Sequence, residues 1–156
     1  FILSDGNRFQ NIWRLWSMKE SAYKIISRAD GMVRFNPKDF CCFTTNATKG
    51  YVVFDNKVIP TVSQSTEKFI QTTAFLEQRY ISEVFQFLNA DSNLQNQQSN
   101  QKAVTAYALW MNLSQETLAI IKNDNGVPHF YSNGRLLAAQ LSLTHHGHFG
   151  ALAIAV

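Results

Sequence analysis

The sequence lacks the features that mark membrane, secreted and nucleic-acid-binding proteins. No apolar run among its 156 residues approaches the length needed to span a bilayer, so we expect no membrane segment. The two cysteines, Cys41 and Cys42, are adjacent, and such neighbours rarely bridge each other, so we expect no disulfide framework and a reducing, cytoplasmic compartment. The net charge of +3 is mild, and no run or stripe of Lys and Arg is present, which argues against nucleic acid as a partner.

What remains is a globular composition. Apolar residues make up 46% of the chain and twelve residues are Phe, enough for a hydrophobic core. We find no internal repeat and no linker, so we predict a single domain over residues 1–156. The order of predicted elements is compatible with an α+β fold, in which helices pack on an antiparallel sheet.

The clearest element is an amphipathic helix over Phe9–Arg28. At 100° per residue, one arc is apolar, while Arg14 and two serines lie on the opposite side. The apolar arc comprises Ile12, Leu15, Trp16, Ala22, Tyr23 and Ile26.

The polar segment Asn89–Gln101 is expected to be an exposed, mobile loop. Other helices are predicted over Ile81–Leu88 and Lys102–Met111, and strands over Phe40–Thr45, Gly50–Phe54, Val58–Val62, Lys68–Leu76 and Ile120–Lys122, with a final strand pair. Asp55-Asn56-Lys57 is predicted to be a hairpin turn into Val58–Val62.

The first candidate site lies within the long helix, in the segment Trp16–Lys24. Glu20 and Lys24 are one turn apart and share a face, so a surface ion pair is the simplest interpretation. Lys19 instead falls inside the apolar arc, where an unpaired ammonium is costly. It either extends its charge to solvent or lies at the rim of a pocket and faces an anion. A carboxylate flanked by two lysines at helical spacing suits Mg²⁺ beside phosphate groups.

The second candidate site is the segment Leu141–Phe149. Polar Ser142 and Thr144 alternate with leucines, as in a strand. The strand is predicted to end in a turn with three histidines, before the apolar strand Ala151–Val156 begins. Three histidines within four positions invite a zinc site, although no Cys, Asp or Glu lies nearby to complete the ligand set, and an exposed polar loop is the alternative. The histidines are His145, His146 and His148.

Together these segments resemble the 4'-phosphopantetheinyl transferase superfamily, in particular its holo-acyl-carrier-protein synthases. Leu141–His145 is similar to the family's S-[IL]-[ST]-H strand end, and Asn123–Pro128 to the N-x-x-G-x-P turn that often precedes it. The three segments occur in the family's order across most of the chain, with extra length around Cys41–Asn100. The family's W-x-x-K-E-x-x-x-K helix is matched at every fixed position, by Trp16, Lys19, Glu20 and Lys24.

The resemblance implies both a reaction and residue roles. A carrier-protein serine would attack the β-phosphate of coenzyme A, take the phosphopantetheine group and release adenosine 3',5'-bisphosphate. Glu20 would be a Mg²⁺ ligand, and Lys24 would contact a coenzyme A phosphate and help proton transfer. His145 would bind a coenzyme A phosphate with Thr144 beside it, and Lys19 would be a secondary charge. The partners would be an acyl-carrier protein or another carrier domain and coenzyme A.

One departure from the family pattern affects the expected activity. The family normally opens with a strand carrying a G-x-D or G-N-D motif, whose Asp is a principal Mg²⁺ ligand. No such strand precedes the helix here, and Gly6-Asn7 is followed by Arg8. We therefore expect that the front of the parent protein is missing, and that the chain alone binds Mg²⁺ poorly and is weakly active or inactive.

Two alternatives stay open at this point. A degenerate transferase would bind coenzyme A or a carrier protein without catalysis, and the histidine cluster would otherwise suit a metal hydrolase. Self-association is also left open, because compact members of the family assemble as trimers. The acceptor cannot be read from the chain, since fatty-acid, polyketide and peptide-synthase carriers present a similar serine.

Overall fold

The computed structural model describes residues 5–31, 34–76, 79–88 and 91–156, with side chains described from Arg8 onward. These residues form two α-helices and nine β-strands, and the chain divides into two compact units, Phe1–Gln78 and Arg79–Val156. In both units a helix and a short 3-10 helix are followed by a four-stranded antiparallel meander. The second unit has one further strand, which precedes its helix.

In the first unit, the long helix covers one sheet, whose four strands lie side by side in chain order. The predicted helix and the strands around it are confirmed, apart from their exact bounds. The hairpin turn is confirmed as well, because Asp55 and Asn56 both have positive φ, 45° and 62°, as a two-residue turn between twisted strands requires. The elements are α1 (Asp5–Asp30), a 3-10 helix (Pro37–Asp39), β1 (Cys41–Thr44), β2 (Lys49–Phe54), β3 (Lys57–Ser65) and β4 (Ile70–Ala74).

The buried face of α1 is rotated from the predicted apolar arc. Ala22 and Ile26 are buried as predicted, but the centre of the face is Met18, which is fully buried and had been left out of the arc. Ile12 and Trp16, which the arc included, are 53% and 41% exposed. The arc prediction is therefore right for the second half of the helix and wrong for these residues of its first half.

Arg14 explains the rotation. It was predicted to lie opposite the core, yet it is only 8% exposed. Its Nη2 donates to the Lys49 carbonyl at 3.0 Å and its Nε to Ser63 Oγ at 3.3 Å. Ser63 Oγ lies 2.9 Å from Thr72 Oγ1. A buried guanidinium is tolerated because its N–H groups find acceptors on the sheet, which periodicity of apolar residues does not reveal.

The second unit packs its helix against a five-stranded sheet, in which all pairs are antiparallel and the first strand of the unit pairs with the last. Its core includes a stacked pair, Tyr107 of the helix and Phe130 of the sheet, with ring centroids 4.4 Å apart. The elements are β5 (Tyr80–Gln86), α2 (Ser92–Met111), a 3-10 helix (Gln115–Thr117), β6 (Leu118–Lys122), β7 (Pro128–Ser132), β8 (Arg135–His146) and β9 (Phe149–Ala155).

Two predictions fail in this unit. The helix predicted over Ile81–Leu88 is wrong, because Tyr80–Gln86 pairs with β9 as strand β5. The loop predicted over Asn89–Gln101 is also wrong. Helix α2 begins at Ser92, where the Asp91 side chain accepts hydrogen bonds from the amides of residues 93 and 94 at 2.9 and 3.0 Å. Asn89 and Ala90 lie outside the described residues.

The architecture is α+β, with two helices and two antiparallel sheets, as the sequence predicted at the level of class. The single domain over residues 1–156 stays a prediction. Within the described part of the chain, no helix combines the length and the apolar character needed to cross a bilayer.

Candidate functional site

The W-x-x-K-E-x-x-x-K segment spans two turns of α1, and its motif residue Glu20 lies on the outer side. Glu20 is exposed, because Met18 and Ala22 on either side of it point into the core. Lys24 lies one turn further along and is half-buried. The predicted helical spacing of Glu20 and Lys24 is confirmed, and their ion pair stays a prediction.

The charge of Lys24 depends on three opposing influences. Burial lowers the pKa of its ammonium, the nearby Glu20 carboxylate raises it, and Arg28 lowers it again. Desolvation is the largest of these, so the net direction is downward. A lysine with a lowered pKa gives up its proton more readily than a free one, which is the property a proton-transfer role needs.

Lys19 has a specific partner. Its Nζ donates at 2.7 Å to the carbonyl of Pro37, the first residue of the 3-10 helix that follows α1. This bond explains how a cation is accommodated beside the core of the first unit. An ammonium has three N–H donors, so further donors remain for other acceptors. The expected role of Lys19 toward coenzyme A stays a prediction.

Trp16 takes part in an aromatic cluster that sequence reasoning missed. Its ring meets Phe35 edge-on, with centroids 5.8 Å apart, and Phe35 also contacts Tyr23 at 4.9 Å and Phe40 at 5.5 Å. Phe35 and Phe40 flank the 3-10 helix, so the cluster ties that turn to the candidate face of α1. Their only signal in the sequence is their position beside the Pro37 turn.

The histidine segment forms the β8–β9 hairpin, which confirms the predicted strand pair, but the prediction that all three histidines lie in the turn is wrong, because His145 and His146 pair with β9 as the last residues of β8. Strand β8 ends at His146 and strand β9 begins at Phe149, which leaves a two-residue turn in which Gly147 has a φ of 57°. Thr144 and His145 are both exposed. Because successive residues of a strand project to opposite faces, these two side chains leave the sheet on different sides.

His145 lies on the face of the sheet that packs against α2. Its ring contacts Phe87 at a centroid distance of 6.3 Å and an angle of 79°. Its cross-strand partner is Gly150, where a Cβ would lie 2.5 Å from the Phe85 ring and 2.7 Å from the Phe87 ring. The absence of a side chain at Gly150 therefore lets two buried aromatic rings pack directly beneath the hairpin.

The metal-binding interpretation of the histidines finds no support in the geometry. His145 and His146 point to opposite faces of the sheet. Across residues 5–31, 34–76, 79–88 and 91–156, no group of three or more His, Cys, Asp or Glu side chains is placed to hold a metal ion. For Mg²⁺, the matching segments contribute one carboxylate, that of Glu20.

The Asn123–Pro128 segment is a turn whose sequence is explained by local structure. The Asn123 side chain accepts hydrogen bonds from the amides of Asn125 at 3.1 Å and Val127 at 2.9 Å, and its backbone carbonyl accepts one from Gly126 at 2.8 Å. Side chains of this kind commonly organise turns in this way. The segment joins β6 to β7 and contributes to the shape of the sheet.

The two candidate segments belong to different units of the chain, with Glu20 and Lys24 in the first and Thr144 and His145 in the second. Each unit holds its segment on a regular element, a helix face or a strand end. Comparison with protein-family models, curated proteins and solved structures finds no match to this chain.

Proposed function

We propose that this chain has the 4'-phosphopantetheinyl transferase fold and is a cytoplasmic enzyme that transfers phosphopantetheine from coenzyme A to a serine of an apo acyl-carrier protein. The observation that supports this most is the arrangement of Glu20 and Lys24 on α1. The carboxylate is exposed, and the ammonium one turn away has a pKa that burial lowers and this carboxylate raises. A solvent-facing carboxylate beside a lysine provides the charges that a metal-bridged diphosphate requires.

Glu20 is the proposed Mg²⁺ ligand. Mg²⁺ keeps several waters and takes one or two carboxylates together with substrate phosphates, so the single carboxylate on α1 is compatible with it. When bound, the cation neutralises charge on the diphosphate of coenzyme A. The Lys24 amino group contacts the phosphate oxygens as an N–H donor, which it remains when neutral, and Lys19 is the proposed secondary charge.

His145 is the proposed phosphate-binding residue of the second unit. Its exposed ring at the end of β8 has a nitrogen available to an anion, while Phe87 supports the ring from the core side. Thr144 leaves the opposite face of the strand, so a ligand has to curve around the strand end to meet both. This makes His145 the better of the two residues to test first.

The proposed reaction forms one bond and breaks one. The serine oxygen of the carrier attacks the β-phosphorus of coenzyme A, and the bond from that phosphorus to the bridging oxygen breaks. Adenosine 3',5'-bisphosphate leaves with the bridging oxygen and its electron pair. The serine proton passes to a base, for which Lys24 in its neutral form is the proposed candidate. Positioning and charge neutralisation provide most of the catalysis in such transfers.

The experiment that tests this proposal is Glu20→Gln, assayed in a version of the protein that carries a G-x-D strand ahead of Phe1. The substitution keeps the side-chain size and removes the charge offered to Mg²⁺, so we expect transfer to slow by about 100-fold or more. Glu116→Gln, an exposed carboxylate on the 3-10 helix before β6, is the matched control and should leave the rate unchanged.

Three outcomes separate the alternatives. Undiminished transfer in Glu20→Gln contradicts the assigned role of Glu20. Coenzyme A binding without any transfer, even with the G-x-D strand present, indicates a non-catalytic binding module. Normal holo-carrier formation by the 156-residue chain alone contradicts the expectation that it is weakly active or inactive without that strand.

A further inference from the structure

The tip of the histidine hairpin is held by a buried glutamine of α2. Gln95 is only 6% exposed, although it lies in the first turn of the helix, where polar residues usually face solvent. Its Nε2 donates to the Gly147 carbonyl at 3.2 Å. Gly147 is the first of the two turn residues between β8 and β9, so one side chain of the helix reaches the centre of the turn.

A second bond holds the same turn from the other side. The Phe87 amide, just after β5, donates to the His148 carbonyl at 2.8 Å. Both carbonyls of the turn therefore accept a hydrogen bond from an element outside the hairpin. Two-residue turns at the end of a long hairpin ordinarily face solvent and move, whereas this one is tied to both α2 and the β5 side.

The two bonds act on the residues that present His145. The His145 ring rests edge-on against Phe87, and the bonded turn begins two residues further along the chain, at Gly147. Hydrogen bonds at Gly147 and His148 therefore restrain the backbone close to the residue that carries the ring. Loss of the bond to Gly147 would free the side of the turn that follows His146.

We propose that Gln95 is a positioning residue for His145, which holds the histidine hairpin in the orientation that binds a coenzyme A phosphate. This inference rests on the proposed function, because it gives His145 the phosphate-binding role. Gln95 itself is buried under the hairpin, and we assign it no contact with the ligand.

The test is Gln95→Met in this chain, with coenzyme A as the probe. Methionine keeps the length of the side chain and removes the N–H donor. We expect the NMR signals of the Gly147 amide and the His145 ring to shift, and coenzyme A affinity to fall about tenfold, because the ring would then be in its binding orientation about a tenth of the time. Gln95→Leu, which also removes the donor and adds no charge, is the second variant in case Gln95→Met folds poorly.

The chain offers a control in Gln101. It lies on the same helix and its Nε2 donates to the side-chain oxygen of Gln115 at 3.5 Å, and not to the hairpin turn or to the residues beside Phe87. Gln101→Met should therefore leave the His145 ring signals and the coenzyme A affinity unchanged. Equal effects of Gln95→Met and Gln101→Met would overturn the proposal, because both would then reflect general loosening of α2.

The remaining outcomes separate this inference from the proposed function. Unchanged Gly147 and His145 signals in Gln95→Met overturn the inference, whatever the affinity. Shifted signals with unchanged affinity also overturn it, provided that His145→Ala weakens coenzyme A binding. If neither Gln95→Met nor His145→Ala changes the affinity, the phosphate role of His145 is wrong, and the positioning role that depends on it is wrong as well.

Discussion

The two units of the chain each pack one helix against a sheet, and each helix buries a polar residue, but the two polar residues hold different parts of the structure. Each helix presents a buried stripe with a spacing of four residues, and in each the first residue of the stripe is polar, Arg14 in the first unit and Gln95 in the second. Both donate to a backbone carbonyl, Arg14 to that of Lys49 in a strand and Gln95 to that of Gly147 in a turn. The stripes are Arg14, Met18, Ala22 and Ile26 on α1, and Gln95, Ser99, Ala103 and Tyr107 on α2.

The difference lies in what each polar residue holds in place. Arg14 bonds the interior of its sheet through Ser63, and Glu20, the proposed metal ligand of that unit, lies on the outer face of the helix. Gln95 bonds an exposed turn, and the candidate histidine lies at the end of the sheet beside that turn. The buried Arg14 thus fixes the orientation of α1 on its sheet, whereas the buried Gln95 fixes the turn between β8 and β9.

The largest difference is expected when each polar anchor is removed. Arg14→Ala leaves a cavity and unpaired polar groups, so we expect it to lower the free energy of unfolding of its unit by about 3 kcal/mol, against about 1–2 kcal/mol for Gln95→Ala. Native-state hydrogen exchange at the buried amides of Val52 and Leu141 would measure each unit separately.

Arg14→Met serves as the control for the charge. It fills most of the same volume with apolar atoms, and replacement of a buried ionic group by a well-packed apolar one is often close to neutral, so we expect a loss of less than about 1.5 kcal/mol. A loss in Arg14→Met as large as in Arg14→Ala would show that the hydrogen bonds of Arg14, and not its volume, stabilise the unit.

A second contrast concerns Gly50 and Gly150, where an added Cβ atom would lie too close to neighbouring atoms. We expect Gly150→Ala and Gly50→Ala each to cost about 1–3 kcal/mol through overpacking. The added Cβ at Gly150 meets ring atoms of Phe85 and Phe87, whereas at Gly50 it meets the Phe43 carbonyl oxygen at 2.5 Å and the end of Met18 at 2.9 Å.

The two clashes should respond differently to a second substitution. Phe85→Leu trims one of the rings, so the double variant with Gly150→Ala should be more stable than the sum of the single effects predicts. Met18→Leu leaves the Phe43 carbonyl in place, so it should not relieve Gly50→Ala. Urea unfolding of the single and double variants measures both couplings, and relief at Gly50 would show that its backbone adjusts more than its geometry indicates.

The last contrast compares the two cysteines of β1, Cys42 on its core side and the exposed Cys41 on its outer side. Burial raises the pKa of the Cys42 thiol from 9.0 to about 11, while the Lys19 ammonium lowers it and Cys41 raises it further. The unfolded thiol therefore loses its proton before the folded one does. The contribution of Cys42 to stability is present below pH 9 and is lost as the pH rises from 9 to about 11.

Cys42→Ala should remove this dependence. The difference in free energy of unfolding between the native chain and the variant is expected to stay constant below pH 9 and to shrink between pH 9 and about 11. Iodoacetamide at pH 8 should label the exposed Cys41 first, since the thiolate is the reactive form. Equal labelling rates for the two cysteines would contradict the burial of Cys42.

Local chemistry accounts for the elements that the sequence predicted correctly. The turn at Asp55-Asn56, the spacing of Glu20 and Lys24, and the alternation that ends at His145 each depend on neighbours within a few residues. The first half of α2 was not predictable in this way. Gln95 and Ser99 are buried there, and the acceptor that makes Gln95 tolerable, Gly147, is far away in the sequence.

Strand β5 was predicted as a helix for a related reason. Ile81 and Phe85 face the core, but Glu83 lies between them on the same face and pairs with Lys102 of α2 at 3.6 Å. The charge interrupts the apolar alternation that marks a strand. At the candidate sites the missed residues are likewise those whose partners are distant in sequence, such as Phe35 under Trp16 and Phe87 under His145.

The proposal that the chain belongs to a phosphopantetheinyl transferase is tested most directly by the mass of a carrier protein. Apo acyl-carrier protein would be incubated with coenzyme A, Mg²⁺ and the version of the protein that carries a G-x-D strand, and then weighed by mass spectrometry. We predict that the carrier gains the mass of one phosphopantetheine group on its acceptor serine, and that omission of Mg²⁺ prevents the gain. Unmodified carriers of the fatty-acid, polyketide and peptide-synthase classes under these conditions would contradict the account.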